Sequence, residues 1–247
     1  MGKYTVFPKA PITEALLDIR VELPTEVSLA KLETVHDLVK ERFPVKGQRI
    51  PFQADIKVSP EGVQIESPPS SGPDGYVFRS PNGGKIVQAR LDGFTFNKLK
   101  PYEKWEMFRD EAHELWNVYF RTAKPIRITR IALRYINRIE IPLPLKDLKE
   151  YILTTPEIAP KLPQALTHFF MRLVIPNPDI DATAIITQTI EPPIANRLPL
   201  IFDIDVFREI VYMGNKTEMW DEFEKLRQFK NDIFFDSLTE KAKELFK

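Results

Sequence analysis

The chain has 247 residues, 43% of them hydrophobic, enough to bury a substantial core and to exclude a disordered or fibrous class. Its 35 basic and 35 acidic residues give a formal net charge of zero, so no global field draws in nucleic acid, anionic lipid or an acidic substrate, and any charged site is a local patch. The absence of cysteine excludes disulfides, thiolate metal sites and a cysteine nucleophile. With no signal-like N-terminus and no run near the ~20 apolar residues of a membrane span, the expected location is the cytoplasm, without membrane contact.

Residues 13–23 alternate, with Leu17, Ile19, Val21 and Leu23 on one face and Asp18, Arg20 and Glu22 on the other, which predicts a half-buried strand. Ser28 is placed to cap a helix reaching about residue 43, with Leu29, Leu32, Val35, Leu38 and Val39 at helical spacing. A meander of strands follows at 52–58, 63–66, 76–80, 85–91 and 94–99. Pro81-Asn82-Gly83-Gly84 supplies a tight hairpin, and the run 67–75, rich in Ser, Pro and Gly, reads as a mobile loop. A helix over 102–122 carries Trp105, Phe108, Ala112, Leu115, Trp116 and Tyr119 on one stripe.

The second half opens with a long strand, 126–141. Its residues Ile131, Leu133, Tyr135, Ile139 and Ile141 face one way, and Arg130, Arg134, Arg138 and Glu140 the other. Two short helices are predicted within 145–166, then strands at 169–175, 182–191 and 198–205. A closing helix spans 217–246 with a break near Asp236.

Arg20-Val21-Glu22-Leu23-Pro24 recurs as Arg138-Ile139-Glu140-Ile141-Pro142, and Trp105, Phe108 and Phe120 recur as Trp220, Phe223 and Phe235. The echo predicts an internal duplication, residues 1–124 and 125–247, packed as one body. Each unit reads strand, helix, antiparallel meander, helix. The fold class is therefore α+β with helices on one face of each sheet, the order of helix-grip and TATA-binding-protein-like (TBP-like) topologies, as one continuous sheet or two facing ones.

Arginine offers a planar fork for carboxylate or phosphate. The outward side chains Arg20, Glu22, Arg130, Arg134, Arg138 and Glu140 accordingly form the candidate ligand-binding set, with Lys57, Arg79, Gln88 and Arg90 on neighbouring strands. The plainer alternative is an exposed face whose arginines pair across strands with Glu22, Glu140 and Asp18. Asp203 and Asp205, two apart on one strand, are the only carboxylates weighed as a shared metal site besides Asp179 and Asp181 in a turn, and no third ligand is apparent. His36, His113 and His168 lack metal spacing, no GxSxG is present, Gly83-Gly84-Lys85 is a hairpin rather than a phosphate loop, and Asn215-Lys216-Thr217 matches the glycosylation sequon by chance. No metal and no cofactor are predicted.

Pro8-Lys9-Ala10-Pro11-Ile12-Thr13-Glu14-Ala15, Arg134-Tyr135-Ile136-Asn137-Arg138-Ile139 and Lys230-Asn231-Asp232-Ile233-Phe234-Phe235-Asp236-Ser237-Leu238-Thr239 resemble segments of a sporadically distributed, functionally uncharacterised prokaryotic family of about this length. The resemblance carries no catalytic residues. Its patchy distribution implies mobile genes, including defence cargo. The leading expectation is a binding or regulatory protein whose arginine-bearing sheet groove takes an anionic small molecule or a protein partner. The alternatives are a metal-assisted phosphoesterase or nuclease using Asp203 and Asp205, and a partner scaffold in a mobile or defence-associated gene cluster. Nucleic acid would need one locally basic face, and the terminal helix is the segment that would mediate a homodimer.

Overall fold

The computed structural model describes residues 4–51, 55–59, 62–66, 72–213 and 218–247, with backbone alone at 55–59 and 62–66. The run 67–71, the side chain of Lys57 and the sequon at 215–217 lie outside the described side chains. Alternation governs the architecture: β1 (Ile12–Glu22) and β8 (Arg127–Pro142) each bury one face and leave the other polar. The two pair antiparallel along the whole of β1 and along β8 from Arg127 to Asn137, Glu14 opposite Ile136 and Arg20 opposite Arg130.

The remaining strands are β2 (Val45–Arg49), β3 (Asp55–Ser59), β4 (Gly62–Glu66), β5 (Gly75–Arg79), β6 (Lys85–Arg90), β7 (Gly93–Leu99), β9 (Phe170–Asn177), β10 (Ala182–Ile190) and β11 (Arg197–Met213). Among the described residues, nine strands form one antiparallel sheet in the order β2-β5-β6-β7-β1-β8-β11-β10-β9, and β3 and β4 pair separately. The fold is mixed α+β, and the sheet is continuous rather than two facing layers. Every strand of the main sheet that precedes residue 124 lies on the β1 side of the seam, and every later strand on the β8 side.

The helices cover one face. Helix α3 (Trp105–Ala123) lays Trp105, Phe108, Leu115, Trp116 and Tyr119 onto Phe94 and Phe96 of β7 and the odd residues of β1 and β8. Trp116 and Tyr119 are fully buried, each worth about 2–3 kcal/mol of transfer free energy. It ends at Lys124, left-handed with φ 47°, where Pro125 prevents continuation. Helix α4 (Glu218–Ser237) packs on β11 and β8, and Glu224 ties it to α3 by accepting from Trp105 Nε1 at 2.6 Å and Arg109 at 2.9 Å. A short α5 (Glu240–Glu244) follows, with the Thr239 hydroxyl accepting from Ala242 N–H.

Two predicted helical regions differ. The first is divided into α1 (Leu29–Glu33) and α2 (Val35–Val39) at Thr34, whose hydroxyl turns back onto the Lys31 carbonyl at 2.8 Å. Residues 145–166 hold only a 3₁₀ turn, Leu148–Glu150, because Pro156, Pro160 and Pro163 recur too closely for a helical ladder. Among the described residues no helix is long and apolar enough to cross a membrane.

Gly93 lies where β7 meets β1 and β6 on the polar face. A Cβ there would sit 2.3 Å from the Ile19 carbonyl oxygen and 2.9 Å from the Arg90 guanidinium. Gly93→Ala is expected to lower unfolding free energy by about 1–3 kcal/mol through overpacking, read as a lower urea midpoint with unchanged slope.

Candidate functional site

The face opposite the helices is polar at its centre. Strand register brings Asp18 and Arg20 of β1 beside Thr95 of β7, Gln88 and Arg90 of β6, and Arg130 and Arg134 of β8, with Asp203 and Asp205 of β11 next in line. Asp18 is the hub. It accepts from Arg90 at 2.8 Å, Arg20 at 3.0 Å, the Thr95 hydroxyl at 2.8 Å and Arg130 at 3.5 Å. Burial alone would raise its carboxyl, but Arg90 and Arg20 outweigh burial and hold it below the ordinary value. Arg90, almost wholly buried, also reaches Asp92, while burial works against its charge and the two carboxylates more than restore it.

A cavity of about 530 Å³ opens over this cluster, lined by Arg20, Arg49, Arg90, Arg130, Arg134 and Asp205 among others. Four of the five arginines have a close carboxylate: Arg20 and Arg90 at Asp18, Arg49 at Asp74, and Arg134 at Asp203, which it grips with Nε at 3.0 Å and a second nitrogen at 2.6 Å. Arg130 differs. Its carboxylates stand off, Asp18 at 3.5 Å and Asp205 at 3.7 Å, while its guanidinium lies 4.3 Å from the Phe207 ring centre. The register slips on both sides of this residue, between Arg20 and Val21 on β1 and between Glu209 and Tyr212 on β11, and such bulges re-aim side chains. Burial raises the Asp205 carboxyl, and the neighbouring Arg130 and Arg134 only partly offset it.

Of the predicted set, Arg20, Arg130 and Arg134 come together here. Glu22 does not orient Arg20: it pairs with Arg127 at the strand end, at 2.5 Å. Arg138 and Glu140 pair with each other and line a separate cavity of about 600 Å³ with Lys9, Lys100 and Arg197, which have no carboxylate partner among the described residues. Arg20 lies opposite Arg130, eight residues along β8 from Arg138, so the two echoed arginines are about 26 Å apart. A larger concavity of about 830 Å³ lies under the irregular 145–166 segment, away from these groups.

No family model, curated protein or solved structure matches this chain.

Asp203 and Asp205 share a face as predicted, yet they serve the arginines: Arg134 occupies both oxygens of Asp203 within 3.1 Å. Among the described residues no three metal-capable side chains group together. His36 Nε2 sits 3.1 Å from the Phe43 carbonyl and stacks on Phe78, and His113 lies against Trp220.

Sequence reasoning missed Arg49, because β2 is short, polar and without alternation. It also passed over Lys230, which faces inward from α4 with its ammonium 3.9 Å from the Tyr135 ring centre. Tyr135 shares a 3.0 Å hydrogen bond with Tyr102, whose hydroxyl burial pushes up to about 12. Burial, aided by nearby Arg227, pulls the Lys230 amine down to about 7. The three segments that carry the family resemblance meet here, through Thr13 to the Ile136 carbonyl, Arg138 N–H to the Pro11 carbonyl, and Lys230 over the Tyr135 ring.

These environments give opposite signs on titration. Asp18, held low, stabilises the fold at neutral pH and loses that contribution as pH falls through its folded value. Asp205, held high, is a burden when ionised that is relieved as pH falls through its own. Asp18→Asn is expected to cost about 3 kcal/mol at neutral pH by removing the carboxylate that Arg90, Arg20 and Arg130 share, whereas Asp205→Asn is neutral or stabilising; urea denaturation compares them. Lys230 adds a third signature. Its folded value lies below the ordinary 10.5, so stability rises with pH between about 7 and 10.5, and Lys230→Met is expected to flatten that rise in melting-temperature scans.

Proposed function

We propose that this chain is a binding or regulatory protein that receives an anionic group, carboxylate or phosphate, in the arginine-lined cavity on the open face of its sheet. The observation that carries this reading is Arg130: a cation fixed on the Phe207 face, between two bulges, with carboxylates too distant to use its donors well. Arginine's fork matches both anions, and partial burial strengthens the contact relative to open surface. Arg134 would turn from Asp203, and Asp205 would take up a proton as the anion arrives.

A second position for the same chemistry is the cavity at Arg138, favoured by Lys9, Lys100 and Arg197, cations without a carboxylate partner among the described residues. Nothing in the geometry favours metal-assisted hydrolysis at Asp203 and Asp205, whose oxygens face arginine. We read the two halves as copies of one unit in the helix-grip or TBP-like manner, spanning 1–124 and 125–247. The support is the mirrored strand order, in which β1, β7, β6 and β5 run outward on one side as β8, β11, β10 and β9 do on the other. We place the protein in the cytoplasm from its lack of cysteine.

Native mass spectrometry of purified protein, then calorimetric titration with inorganic phosphate and with succinate, tests the reading. Binding is expected to tighten as pH falls through the raised Asp205 value and to weaken with salt. Arg130→Ala is expected to weaken it at least about tenfold, with little change in melting temperature. Unchanged affinity in Arg130→Ala, with loss in Arg138→Ala, would move the site to the second cavity; no binding of either anion would reject both.

A further inference from the structure

At the far end of the helix-covered face, where β9 and β10 meet α4, Gln188 points its side chain toward the helices among Leu173, Ile186, Phe229 and Ile233. These residues line a cavity of about 320 Å³. Gln188 is 1% exposed, and its side-chain carbonyl oxygen is fully buried with no hydrogen-bond partner among the described residues. A buried acceptor left unpaired costs about 1–3 kcal/mol, so this oxygen favours a donor that enters the cavity.

Charge at the mouth narrows what that donor belongs to. The lining residues include two carboxylates, Asp232 and Asp236, one helical turn apart on α4, and no Lys or Arg. Asp232 is engaged by Tyr4 and Gln228, while Asp236 is exposed at the rim and without an ion-pair partner among the described residues. The walls are mainly aliphatic and aromatic, with the hydroxyl residues Thr154 and Ser237 among them. This cavity is therefore the electrostatic opposite of the arginine cavity across the sheet.

We propose that it is a second ligand site, for a compact aromatic or aliphatic amine: an apolar body between Phe229, Ile233, Ile186 and Leu173, an N–H or O–H donated to Gln188 Oε1, and a cationic group at Asp236. The order of parts follows from the order of the lining, acceptor at the floor, hydrocarbon in the middle, carboxylate at the rim.

Tryptamine supplies all three parts and is the probe, titrated calorimetrically with the full chain. Saturable binding at millimolar concentration or below is expected, without competition from phosphate and with unchanged affinity in Arg130→Ala. Indole-3-propionate, with a carboxylate in place of the ammonium, and 1-methyltryptamine, without the ring donor, are each expected to bind roughly tenfold or more weakly. Gln188→Met keeps the volume and removes the acceptor; it is expected to melt no lower than the parent chain and to lose roughly tenfold in tryptamine affinity. Should that variant fail to fold, Asp236→Asn, at the exposed rim, is expected to weaken binding several-fold and to reduce its salt dependence. Equal affinity for tryptamine and both analogues, equal affinity in Gln188→Met, or a crystal structure with water on Gln188 Oε1 and no tryptamine in the cavity would overturn the proposal.

Discussion

The antiparallel pairing of β1 with β8 is the interaction on which everything else in this molecule rests. It converts two runs of strands into one sheet, gives α3 and α4 a common surface to cover, and leaves a single polar face opposite them. It also sets the positions of the charges. Antiparallel register places Arg20 directly against Arg130, a like-charge pair that a sheet tolerates only with a counterion at hand, and Asp18 on the next position of the same face is that counterion.

Around Asp18 the polar face is an ion-pair network rather than a field of free arginine. Its charges are matched strand by strand, Arg49 with Asp74, Arg90 with Asp92, Arg134 with Asp203, which agrees with the neutral balance of the whole chain. Selectivity in such a face comes from the members that match poorly. Arg130 and Asp205 are those members, a cation with distant partners and an acid that burial disfavours in its charged form. Under the proposed reading, their proximity would couple an arriving anion to a proton.

Much of the fold was legible in the chain because β1, β8 and β10 alternate cleanly and α3 carries its aromatic stripe at helical spacing. What could not be read depends on contacts distant in sequence. Val45-Lys46-Gly47-Gln48-Arg49 has no pattern of its own and becomes a strand by pairing with β5, which brings Arg49 to the cavity. Asp203 and Asp205 were rightly placed on one face, yet their role as arginine partners follows only from β11 lying beside β8. The echoed Arg and Glu pairs looked like one site on paper. A strand and its antiparallel neighbour run in opposite senses, so matching positions fall at opposite ends, and the six predicted residues divide among two cavities and a strand terminus.

The clamp at Glu224 has a mechanical meaning. In the sheet the two runs of strands are joined by the β1 and β8 backbone ladder; in the helix layer, α3 and α4 are held by the Glu224 carboxylate shared between Trp105 and Arg109, by Arg227 over the Trp105 ring and by His113 against Trp220. A plate fastened on both surfaces has no axis about which to fold without breaking one set of bonds. The proposed anion site therefore sits on a stiff template, and any response to an occupant would run through reoriented side chains and exchanged protons rather than through a swing of one half against the other.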